Sequence, residues 1–398
     1  METVIWEWTD LAVRWLHAIA GIAWIGSSFY FVHLDLSLKQ REGLPKGAAG
    51  ETWQVHGGGF YNMVKYLVAP SRMPDQLTWF KWEAYTTWLS GIALLILVYY
   101  MAADLYLIDV EVLELSPMAA VAISVVGLAA GWVVYDLLCR SPLGNNDVHL
   151  AAVGFVYLVA LAYGFTLVFS GRGAFMQMGA LIGTMMVANV FVIIIPNQRK
   201  VVKALIAGDS PDPALGRQAK QRSLHNNYLT LPVIYVMIGN HYPLAFASKW
   251  SWLMLAIVLV MGALIRHFFN TKHKGEKGPW WTWAAAVAGF LVIIWLSTLQ
   301  PPASEEAAAP AEFDVAEVEN VILSRCSMCH AAEPLWEGIT VPPKGVLLET
   351  PDQIRAQARA IDLQVVRSRA MPPGNITYIE PEERQILAHW IAAGAPAW

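Results

Sequence analysis

The chain is 398 residues long, 56% apolar and 15% charged, against roughly 25% charged in a soluble domain. It carries 18 Trp, 3 Cys and a formal net charge of −4, which excludes a disulfide framework and a basic nucleic-acid-binding face. Charge divides along the chain: residues 1–299 hold 20 Lys/Arg and 17 Asp/Glu, whereas residues 300–398 hold 7 and 14. The pattern predicts an apolar membrane body followed by an acidic soluble module.

Eight stretches are long and apolar enough to cross a bilayer, which takes about 20 residues each. They lie near 11–36, 82–103, 117–139, 150–170, 174–196, 225–241, 250–270 and 281–299. Glu2, Glu7 and Asp10 precede the first run where a cleavable signal would be basic, so this run reads as a retained span. Along it His17, Gly21, Trp24 and Ser28 recur at helical spacing and share one face, with Gly21 small enough to let a flat macrocycle or another helix approach.

The loop 37–81 is long for a bundle connection, and its aromatic content argues against disorder. His56-Gly57-Gly58-Gly59-Phe60-Tyr61 reads as a backbone that lets an anion approach its N–H groups. Lys65, Arg72, Lys81 and Glu83 supply charge nearby, and Trp79, Phe80 and Trp82 supply stacking faces for a flat anionic heterocycle. The alternative reading is a Gly-rich turn leading into an interfacial aromatic helix, with the basic residues meeting anionic lipid. His225, Asn226, Asn227 and Tyr228 are the opposing candidates, from the start of the sixth stretch.

Loops 37–81, 140–149, 197–224 and 266–280 carry 6, 1, 6 and 4 Lys/Arg; the alternate loops carry only Arg172 and Lys249. The positive-inside rule then places the first set in the cytoplasm and both termini in the periplasm of a bacterial inner membrane. In this orientation His17 and His241 lie toward the outer face, and His33, His149, His225 and His267 toward the inner one. His17 with His241 is the expected ligand pair for the iron of a haem b. A weaker inner site uses His33 with His225, His149 or His267, and interhelical hydrogen bonding is the alternative role for all of them.

Residues 300–311 form a Pro/Ala/Glu linker to a domain over 312–398. There Cys326-Ser327-Met328-Cys329-His330 is the Cys-x-x-Cys-His attachment motif of a covalent haem c. Two thioethers hold the porphyrin and His330 supplies the proximal iron ligand. A zinc site needs a second ligand pair that the chain lacks, and a dithiol redox site has no need of His330. Met371, in Ala-Met-Pro-Pro-Gly, is the expected sixth ligand, a thioether that raises the haem potential. The amphipathic stretch 383–391 is expected to pack across a helix near 314–325, with His389 on its surface. Together these readings predict an all-α protein: an eight-helix transmembrane bundle and a small all-α cytochrome c domain of the class I kind.

Several motifs in combination resemble the bacterial membrane-bound urate oxidases (urate hydroxylases). These are Trp-Leu-His-Ala-Ile-Ala-Gly-Ile-Ala-Trp-Ile-Gly at 15–26, His-Gly-Gly-Gly-Phe-Tyr at 56–61, Phe-Lys-Trp-Glu-Ala-Tyr at 80–85, Asn-Asn-Tyr-Leu-Thr-Leu-Pro at 226–232 and Asn-His-Tyr-Pro at 240–243. The similarity spans the whole chain. Residues 17–26 are also similar to haem-associated membrane families such as copper-resistance membrane proteins and the membrane protoporphyrinogen oxidase, which adds weight to haem b at His17. The resemblance implies conversion of urate to 5-hydroxyisourate, with electrons passed through haem c to a respiratory-chain acceptor, a cytochrome c or a terminal oxidase, and no peroxide. Residues alone leave open a non-catalytic electron-relay or haem subunit, and a dehydrogenase for quinol or another metabolite.

Overall fold

A computed structural model describes residues 1–67, 74–299 and 314–396. The body is mostly helical: α1 Glu2–Ser37, α2 Trp82–Leu94, α3 Ala103–Tyr106, α4 Pro117–Arg140, α5 Asp147–Thr166, α6 Gly171–Ala188, α7 Ile195–Ala207, α8 Pro213–Gly239, α9 Pro243–Phe246, α10 Ser251–His273 and α11 Trp281–Thr298. Polar residues set the starts. Ser116 accepts the Ala119 N–H ahead of α4, Asn146 the Val148 and His149 N–H groups ahead of α5, and Ser170 the Gly173 N–H ahead of α6.

Among the described residues, six helices are long and apolar enough to cross a membrane: Val4–Ser37, Pro117–Arg140, Asp147–Thr166, Gly171–Ala207, Ser251–His273 and Trp281–Thr298. The remaining two expected spans are helical in part. The second runs as α2 and then a π turn, Leu95–Tyr100; the sixth is the distal half of α8, whose first half carries Arg217, Lys220 and Arg222. A second π turn, Asn189–Ile194, joins α6 to α7 without a break in the helix. Leu95, Leu128, Phe165, Phe169, Met178, Leu181, Met185 and Leu255 form one buried core between α2, α4, α5, α6 and α10. Trp15, Ile22, Val126, Leu137, Phe290, Leu291 and Trp295 point outward, an apolar exterior that a lipid environment accommodates.

The expectation of an all-α chain fails at one place. Residues 48–66 form an antiparallel hairpin, β1 Ala48–His56 and β2 Gly59–Tyr66, paired from Ala48/Tyr66 to His56/Gly59. Trp53, Val55, Phe60, Tyr61 and Val64 favour the pleated conformation. Gly57 and Gly58 take φ of 58° and 79°, the two left-handed residues that a two-residue hairpin turn requires. An isolated hairpin is marginal in water; this one is held to α1 by Tyr30–Gln54, Ser37–Thr52 and Lys65–Asp35 bonds and by a Lys39–Glu51 bridge.

The C-terminal residues build a separate core. Elements α12 Val315–Arg325, α13 Ser327–His330, α14 Pro351–Ala356, α15 Ala358–Ile361 and α16 Pro381–Ala392 enclose Val318, Ile322, Ile354, Ile361, Leu387 and Trp390. α16 packs on α12 as the sequence suggested, fastened by Arg325 to Glu383 at 3.0 Å. The 300–311 linker falls outside the described residues.

Candidate functional site

A cavity of roughly 440 Å3 opens between α1, the segment before α2, the second π turn, α7 and α8. Trp24, Ser28 and Phe31 line it from one face of α1; Trp79 and Phe80 add further aromatic surface. Gln198, Ser223 and Asn226 contribute amide and hydroxyl groups. Flat apolar walls with a few fixed polar groups suit a planar heterocycle carrying several N–H and C=O groups. The cavity brings Trp79 and Phe80, and Asn226 from the opposing segment, together with Trp24 and Ser28, which the sequence had placed only on the His17 face. His56, Lys65, Glu83 and Trp82 are not among the lining residues.

Behind Asn226 stands a buried polar network. Asn226 donates to Met186 O at 2.9 Å and accepts from Asn189 Nδ2 at 2.9 Å; the same Asn189 nitrogen donates to Tyr135 Oη at 2.9 Å. Arg222, 3% exposed, donates to Asn189 Oδ1 at 3.2 Å and to Asp136 Oδ1 at 2.7 Å. Tyr135 Oη and His225 Nδ1 lie 2.8 Å apart. Tyr135 Oη thus accepts from Asn189 and shares a bond with His225 Nδ1. Asn189 opens the π turn, so the helix irregularity and the network's central amide coincide. Mutual satisfaction is what makes these groups tolerable in an apolar bundle. Tyr135, Asp136, Asn189 and Arg222 went unnoticed in the sequence. The signal available was polar residues inside otherwise apolar runs.

Asn227 belongs to a second cluster. Its Oδ1 accepts from Arg266 Nε at 3.3 Å and Asn270 Nδ2 at 3.0 Å, and the Arg266 guanidinium lies 3.9 Å from the Phe29 ring centre. The histidines scatter. His33 meets His273 edge to face at 4.4 Å between ring centres, while His225 is engaged with Tyr135; His149 and His267 are exposed. His17 Nδ1 bonds Thr87 O at 3.0 Å and Ser90 Oγ at 3.1 Å, and its ring sits in the space left by Gly91. His241 stands exposed in the turn after α8.

His56, read as part of an anion-binding loop, is exposed at the hairpin tip, and Lys65 pairs with Asp35 at 2.7 Å. The glycines there serve the β-turn. Glu83 lies in the first turn of α2, and Arg72 falls outside the described residues.

In the C-terminal module, Cys326, Cys329 and His330 share a single helical turn, with the Cys329 and His330 N–H groups both bonded to Cys326 O. His330 Nδ1 lies 3.0 Å from Val346 O, so Nδ1 holds the proton and Nε2 is left as a ligand atom. Burial pushes the Cys326 thiol up to about 12 and raises that of Cys329, the reverse of the acidic thiolate a dithiol redox centre uses. Met371 packs against the module core, and Arg384 Nη1 donates to Met371 O at 2.9 Å and Val365 O at 2.7 Å.

Residues 3–297 match the family model described as urate oxidase, N-terminal. No curated protein and no solved structure matches the chain.

Proposed function

Because the chain belongs to the urate oxidase N-terminal family, we propose that it is a membrane-bound oxidoreductase that binds urate in the cavity above and converts it to 5-hydroxyisourate. The observation that carries this reading is the cavity itself, where aromatic faces from α1 and residues 79–80 meet the anchored amide of Asn226. Two electrons and two protons leave urate as water adds at C5. The protein's part is binding and placement. Trp24, Trp79 and Phe80 stack on the purine plane, and Asn226 and Gln198 bond its N–H and C=O edges.

The C-terminal residues fit a covalent haem c: two thiols and an imidazole on one turn, the imidazole oriented by Val346 O, and a thioether in the same small core. When bound, this group supplies a one-electron acceptor and a route to the respiratory chain, through a cytochrome c or terminal oxidase. Cys326 and Cys329 would hold it, and His330 and Met371 would supply the iron ligands. His17 suits a second, non-covalent haem b, because its Nδ1 is fixed by a carbonyl; His241 is its expected partner. Six apolar helices are compatible with a membrane location, and the Lys/Arg bias supports periplasmic termini.

Anaerobic addition of urate to the oxidised, detergent-purified protein tests the proposal. Urate should disappear as the haem c band reduces, with no peroxide formed. An oxidised spectrum that urate leaves unchanged refutes it. Haem quantitation on the same sample should find non-covalent haem beside the covalent one; its absence removes the His17/His241 assignment.

A further inference from the structure

The loop after α3 meets the C-terminal module at the segment that carries Met371. Gly374 has φ of 53°, and a Cβ built on it would lie 2.2 Å from Ile108 O, so backbone meets backbone there. One residue on, Asn375 Nδ2 donates to the Glu111 carboxylate. On the other side of Met371, Ala370 packs against the core of the bundle. Arg384, which holds Met371 O, lies in the field of Glu111 and Asp109. Two independent contacts therefore bracket Met371.

The bundle side is a built seat. Leu107 is fully buried and Ile108 is 4% exposed. Leu107 O accepts the Ser170 N–H at 2.9 Å at the start of α6, and Asp109 O accepts from Val112 and Leu113. Asp109 Oδ1 also accepts the Glu111 N–H at 3.0 Å, which ties the Glu111 backbone to the loop.

We propose that loop 107–113 clamps the 370–375 segment, so that the bundle holds the distal haem c ligand and iron ligation depends on docking. The inference rests on the haem c assignment made above. Glu111 and Asn375 are positioning residues: they act on the iron through Met371. Loss of the clamp frees the segment, the thioether leaves the iron more often, and the potential falls.

The test uses the full-length protein in detergent and reads the far-red absorption band of Met-ligated ferric haem together with the reduction potential. Asn375→Asp puts a carboxylate against Glu111 yet keeps the acceptor for the Ile379 N–H that Asn375 supplies. This variant should lose most of the band and shift the potential downward at unchanged covalent haem content. Adding Glu111→Lys should restore both. Glu111→Ala, a substitution at an exposed residue outside the module, should act in the same direction with a smaller effect, and serves if Asn375→Asp fails to accumulate. A wild-type band in Asn375→Asp overturns the clamp; so does a loss that Glu111→Lys does not rescue. Absence of covalent haem from the wild-type protein instead refutes the haem assignment.

Discussion

In the bundle, Tyr135, Asn189, Arg222 and Asn226 reach one another from α4, the second π turn and α8. In the C-terminal module, Cys326, Cys329 and His330 stand within five consecutive residues on one turn. The bundle's chemistry exists only when the helices are packed, and each of these four polar side chains has a partner within the network. The module's attachment turn is local, although its Met371 segment is held from the bundle, and its apolar core includes Cys326 but not the imidazole. Substitutions should therefore act differently in the two regions: stability and binding fall together in the bundle, whereas cofactor chemistry is lost alone in the module.

The largest effect should come from Cys326→Ala with Cys329→Ala. Haem staining of denatured protein should show complete loss of covalent haem while the bundle still inserts; failure to insert would break the division into two regions. Next is Asp136→Ala, which leaves buried Arg222 without the carboxylate that pairs with it at 2.7 Å. Thermal unfolding in detergent should show a loss of about 3–5 kcal/mol, and an unchanged midpoint would mean that water reaches Arg222.

Asn226→Ala removes a cavity group and strands the Asn189 amide. The KM for urate should rise roughly 5- to 150-fold on the 1–3 kcal/mol left by an unmade buried hydrogen bond. Asn227→Ala, one residue on but among Arg266 and Asn270, should lower stability with KM nearly constant. Equal KM effects from the two variants would displace the site from the cavity.

The smallest expected effect is Asp109→Asn, in the loop beneath the module. Burial, the largest influence, raises the Asp109 pKa above the ordinary carboxylate value, so the folded state binds the proton more tightly than the unfolded chain. The ionised group then opposes folding at neutral pH, and the opposition fades as pH falls through the raised folded value. Asp109→Asn should stabilise by less than about 1 kcal/mol at pH 7, with the gain vanishing in acid. A gain that grows on acidification would reverse the sign.

Much of this was legible in the sequence wherever the signal is local. Apolar runs gave the helices, the Cys-x-x-Cys-His motif gave the turn that places Cys326, Cys329 and His330 together, and the 3.6-residue period put Trp24 and Ser28 on one face. The hairpin escaped because Gly-Gly flanked by aromatics was read as an anion loop, although the same pair is the requirement of a tight β-turn. The Tyr135–Asn189–Asn226 network escaped because its members are distant in sequence and each looks like a stray polar residue in a span. His33 illustrates the same limit. Its neighbour in space is His273, which was not among the histidines considered for it.

The π turn at Asn189–Ile194 has a consequence for how such a cavity arises and persists. A π turn holds one residue more than the α turn it replaces, so this stretch carries a residue that a regular helix would not. Deleting one residue here would restore a regular helix while turning everything after it by about 100° about the axis. Gln198 and Val202 would swing away from the wall they now share with Val190 and Ile194. Length, rather than residue identity, thus sets the pocket wall at this point. A relative one residue shorter between Met186 and Gln198 would have to build a different pocket wall from nearly the same sequence.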